Sequence, residues 1–92
     1  MEKIEGSFRA DLLANGTVQM QFAPSGTMGN MRPFLAKDAD MAELDFVTFF
    51  EFSPAKAKAQ IVELVRNKHI EVVALIDQAK LAGLFLQRGT AA

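Results

Sequence analysis

The sequence predicts an α+β fold of two layers: a small antiparallel or mixed sheet of roughly three to five strands, with one long helix packed on it and a short C-terminal helix. Three observations lead there. Apolar and polar residues alternate on both sides of Asn15-Gly16, as in two half-buried strands joined by a hairpin. Ser53-Pro54 then opens a stretch with helical spacing. Finally, 92 residues that are 50% hydrophobic have room for one core, so residues 1–92 form one domain. This size excludes a full dinucleotide-binding fold and a β/α barrel. The 27 Leu, Ile, Val and Phe residues exclude a disordered chain.

The first strand covers Ile4 to Leu13, with Ile4, Phe8 and Leu12 as its apolar anchors. Thr17 to Ala23 is the second. Val18, Met20 and Phe22 share one face, and Thr17, Gln19 and Gln21 share the other. Asn15-Gly16 predicts a type I′ turn, in which both central residues take positive φ. Pro24 ends the second strand, because it has no N–H for the ladder. Residues 25–33 read as loop, and Phe34-Leu35 as a short strand or a docking turn. Asp38 to Leu44 has helix-compatible spacing but predicts no more than one turn, or a loop.

Asp45 to Phe52 reads as a strand. Phe46, Thr48, Phe50 and Phe52 would share one face, and Val47, Phe49 and Glu51 the other. This Phe-rich run is the expected centre of the core. Ser53 then caps a helix that has Pro54 at its first position and Ile61, Val62, Leu64 and Val65 on its inner stripe. Asn67-Lys68-His69 is the exit. Ile70 to Ile76, rich in β-branched residues, reads as a covered strand, with a continuous helix from Pro54 to Leu86 as the alternative. Asp77 caps a last helix through Leu81, Leu84 and Phe85, with a final strand from Leu81 to Gln87 as its competitor. The predicted order is β-β-(β or turn)-β-α-β-α.

The net charge is -1, so there is no global basic surplus for nucleic acid. Residues 1–53 carry eight carboxylates and four basic groups, and residues 54–92 carry three and six. The chain has no cysteine, which excludes disulfides, thiolate zinc sites and cysteine nucleophiles. Met1-Glu2-Lys3-Ile4-Glu5 lacks the basic and apolar regions of a signal peptide, and no apolar run is long enough to span a bilayer. A cytoplasmic location and no membrane partner are the expectations.

No catalytic residue, metal site or cofactor site is assigned. The segment singled out for a ligand or partner is Gly26, Thr27, Met28, Gly29, Asn30, Met31 and Arg32. It lacks the lysine and hydroxyl of a P-loop, but its amides and Arg32 suit an anion. The carboxylates of Asp38, Asp40, Glu43 and Asp45 fit no calcium-loop pattern. His69 is the only histidine, and Glu71 would share its face if the segment is extended. Lys56, Lys58, Arg66 and Lys68 make no clean helical stripe.

Two helices at most must hide the apolar residues on both faces of 46–52 and 70–76. That shortage predicts a small non-enzymatic interaction or accessory protein, a homodimer or one bound to a partner protein through an apolar sheet face. One alternative is a regulatory module that binds nucleic acid or an anionic ligand through Gly26–Arg32 and the basic helix 54–68. Another is a small enzyme that pairs His69 with a carboxylate.

Overall fold

The computed structural model describes residues 3–24, 33–77, 79–80 and 82–83. Its elements are β1 (Lys3–Leu12), β2 (Val18–Pro24), β3 (Phe34–Ala36), α1 (Ala39–Phe49), α2 (Pro54–Asn67) and β4 (His69–Asp77). The α+β class holds: a four-stranded antiparallel sheet in the order β3-β2-β1-β4 carries two helices.

The hairpin forms as its alternation predicts, with Phe8 opposite Phe22 and Leu12 opposite Val18. Its turn differs. Gly16 N–H donates to the Leu13 carbonyl at 2.9 Å, and Leu13 N–H donates to the Thr17 carbonyl at 2.9 Å. Gly16 has φ 87°, whereas Asn15 is not left-handed. The connection is therefore a turn followed by a left-handed glycine, a longer loop than the two-residue type I′ turn. Asn15 contributes its side chain instead, accepting from Thr17 N–H at 3.0 Å.

The main correction falls on residues 38–52. Asp38 is the N-cap of a full helix and accepts from Met41 N–H at 2.9 Å. The helix runs to Phe49, so there is no strand at 45–52, and the observed order is β-β-β-α-α-β. Helical spacing puts Ala42, Asp45 and Phe46 on the buried side, with Phe50 at the C-cap. Glu51 then takes φ 53°, and Phe52 N–H returns to the Phe46 carbonyl at 3.3 Å. This reversal brings Phe46, Phe50 and Phe52 together without any strand. The Phe50 ring lies 4.2 Å from Phe8, 6.1 Å from both Phe22 and Phe34, and 6.0 Å from Phe46. The phenylalanines do form the core centre, but from a helix end.

α2 has its predicted start, with Ser53 Oγ accepting from Lys56 N–H at 3.2 Å. Its inner stripe is narrower than predicted: Ala57 and Leu64 are buried and Ile61 is partly so, while Val62 and Val65 face solvent. Lys68, at φ 66°, ends the helix and turns the chain into β4. β4 is a strand, which excludes the long helix from Pro54. It pairs with β1, with Ala10 opposite Ile70 and Gly6 opposite Ala74. Among the described residues only one face of β4 is covered. Ile70, Ala74 and Ile76 are buried, but Val73 and Leu75 are exposed. Asp77 accepts from Ala79 N–H at 2.9 Å and Lys80 N–H at 3.2 Å. Residues 79–80 and 82–83 are helical, as the Asp77 cap predicts, and the rest of the choice over Leu81–Gln87 lies outside the described residues.

Candidate functional site

Both helices cover the sheet face that carries Phe8, Ala10, Met20 and Phe22, leaving the odd-numbered side chains of β1, and those of β4 from His69 to Leu75, on the outer face, while Asp77 at the strand end is buried. The register arranges that outer face in rows. Leu35, Gln19, Asp11 and His69 make one row, Gln21, Arg9 and Glu71 the next, and Ala23, Ser7 and Val73 a third. Glu5 and Leu75 follow. Charge is thus densest at the His69 end of the face, Val73 and Leu75 are its apolar part, and Glu5 stands opposite Leu75.

The charged end is knitted together by its own contacts. His69 Nδ1 lies 2.6 Å from Asp11 Oδ1, and Nε2 lies 3.2 Å from Glu71 Oε1. Arg9 reaches Asp11 at 3.5 Å and Gln21 at 3.4 Å. Both ring nitrogens can donate only in the imidazolium form. The hydrogen bond to Asp11, followed by that to Glu71, accordingly raises the His69 pKa above its ordinary 6.5. The two carboxylates bind opposite ring nitrogens and do not converge on one point. Among the described residues no cluster of three metal-ligating side chains occurs.

Other expected site residues are occupied elsewhere. Ser53 and Asp77 are caps, so neither joins His69 in a triad. In the acidic cluster, Asp38 caps α1 and Asp45 is buried. On α2, Lys56 lies 4.7 Å from the centre of the Phe52 ring, and Arg66 reaches Glu63 at 3.7 Å. The Gly26–Arg32 segment lies outside the described residues. A hollow of about 200 Å³ is lined by Glu5, Phe50, Glu51, Phe52, Lys56, Val73, Ala74 and Leu75. It is smaller than the roughly 300–1,000 Å³ typical of ligand pockets. No described helix is long and apolar enough to cross a membrane.

β4 closes the sheet on one side, and its hydrogen-bond phase follows from two contacts. Leu12 N–H donates to the Lys68 carbonyl at 2.9 Å, and Leu13 N–H to the Thr17 carbonyl at 2.9 Å. Even-numbered residues of β1 therefore bond towards β4, and odd-numbered ones towards β2. In the observed register, even-numbered β4 residues bond back to β1. The backbone N–H and C=O groups of His69, Glu71, Val73, Leu75 and Asp77 consequently point away from the sheet. Among the described residues no strand takes them up. Sequence reasoning missed this edge because it depends on strand order, although Val73 and Leu75 were visible as alternate apolar residues.

No protein-family model, no curated protein and no solved structure matches this chain.

Proposed function

We propose that the chain is a small non-enzymatic interaction protein that self-associates through the β4 side of its sheet. The observation that carries the reading is the outer edge of β4, where Val73 is 61% and Leu75 43% exposed on a strand whose outward backbone groups have no described partner. Soluble proteins blunt such edges with lysine, proline, bulges or shortness. β3, at the other edge, spans only Phe34–Ala36. β4 runs nine residues and contains no lysine, proline or glycine. The sequence predicts a dimer from two strands that are apolar on both faces. One of them is helical, and the exposed apolar surface of β4 now supports the reading instead. A cytoplasmic location belongs to the proposal and is compatible with a chain that has no cysteine.

Sedimentation velocity at several protein concentrations tests it. A shift from monomer towards dimer with rising concentration is expected, reversed by Leu75→Lys. A wild-type chain that stays monomeric up to about 1 mM, where even a millimolar Kd populates the dimer, overturns the reading.

A further inference from the structure

We infer that Asn15 is a site of spontaneous deamidation, gated by two hydrogen bonds at the hairpin tip. The chain supplies its own nucleophile. Asn15 and Gly16 are both exposed between β1 and β2. The backbone nitrogen after an asparagine can close a five-membered ring on its side chain, and such intramolecular attack gains the orientation that a free amine lacks. A side chain on the attacking residue crowds that ring. Gly16 has none, and the place of its missing Cβ is open, with nothing within 4 Å. Asn67, the other described asparagine, is set differently. It precedes Lys68 rather than a glycine, and its side-chain amide donates to Glu63 at 2.6 Å at the end of α2.

The reaction balances with water alone. Hydroxide takes the Gly16 amide proton, and the nitrogen bonds to Asn15 Cγ. The Cγ–Nδ2 bond breaks, and ammonia leaves after gaining a proton from water. Water then opens the succinimide. Attack at Cγ restores the main chain and leaves aspartate. Attack at the backbone carbonyl carbon leaves isoaspartate, with the main chain running through Cβ. Nothing is oxidised or reduced, and the formal charge falls by one from -1. The fold sets the rate. Gly16 N–H donates to the Leu13 carbonyl at 2.9 Å, and Asn15 Oδ1 accepts from Thr17 N–H at 3.0 Å. The first bond holds the proton that must leave, and the second holds the side chain that must swing onto the Gly16 nitrogen. The reactive form is therefore the opened tip, a local opening of the kind exposed turns undergo. An aspartate here still offers an oxygen to Thr17 N–H, whereas isoaspartate adds a carbon to the turn and loosens it.

Incubating the full chain at mildly alkaline pH tests this. Isoelectric focusing reads the charge, and fragment ions separate Asn15 from Asn30, which share a tryptic peptide. A more acidic form should accumulate in proportion to hydroxide, with the change at Asn15. It should form at least about tenfold faster in guanidinium chloride, the factor that ~1.4 kcal/mol of tip opening imposes on the folded chain. Asn15→Gln, which needs a larger ring, should keep both its charge and the wild-type circular dichroism. A folded chain that stays unmodified over weeks, or whose change maps to Asn30 or Asn67, overturns the assignment. Equal rates in the folded and unfolded chain overturn the gate.

Discussion

Truncating Phe50 is the sharpest probe of how this core is built. Its ring is 1% exposed, sits on the reversal after α1, and touches the rings of Phe8, Phe22, Phe34, Phe46 and Phe52. A buried phenylalanine removes about 150–250 Å² from water, or roughly 4–6 kcal/mol at 25 cal/mol per Å². Alanine keeps part of that, and the cavity it leaves adds a penalty, so Phe50→Ala should cost about 4 kcal/mol. A chain of this length has a total stability of about 5–14 kcal/mol, so the loss is a large fraction of it. With a urea slope of about 1.2 kcal/mol per molar, the unfolding midpoint should fall by about 3 M. The assay is urea denaturation followed by circular dichroism. Leu44→Ala is the paired control: Leu44 is 66% exposed, and its loss should stay within about 0.5 kcal/mol. If Phe50→Ala costs less than about 1.5 kcal/mol at an unchanged slope, Phe50 is not the hub of the aromatic cluster.

Two further outcomes follow from the turn and from the histidine. Gly16→Ala should destabilise by about 1 kcal/mol in the same urea assay, through backbone strain alone, because a Cβ there meets nothing within 4 Å while φ is +87°. Asn15→Ala should cost less, losing only the bond to Thr17 N–H, and equal losses would restore the type I′ turn. His69, raised above 6.5 in the folded chain, contributes stability that is fully present below about pH 6.5 and disappears as pH rises through the folded pKa. The wild-type advantage over His69→Gln should therefore shrink from acidic to alkaline pH. NMR titration of the ring should give a midpoint above 6.5 that drops in Asp11→Asn, and a midpoint at or below 6.5 contradicts the Asp11 contact.

The elements legible in the sequence are those whose signal is local. Alternation gives β1 and β2, Ser53-Pro54 gives the start of α2, and the β-branched run gives β4. α1 was hidden because it is apolar nearly all round, with Leu44, Val47 and Met41 outside as well as Ala42 and Phe46 inside. Such a helix has no face to read, and its Phe, Val and Thr residues favour strand on propensity. The Asp38 cap and the four-residue spacing of Ala42, Phe46 and Phe50 were the signals available. In the site, the neighbourhood of His69 and Glu71 was readable from their spacing of two. Asp11 was not, since it arrives 58 positions away through strand pairing. The edge character of β4 needed the sheet order itself.

The place of β1 between a neighbour close in the chain and one at its far end sets a timetable for synthesis. β2 emerges directly after β1, and the hairpin closes in about 1–10 μs. The other flank of β1 has to wait for Asp77, a delay of roughly 3–13 s at 5–20 residues per second. Throughout that interval the nascent polypeptide displays a bare template beside Phe8 and Ala10, so the ribosome-bound stage is when this protein is most exposed to mispairing.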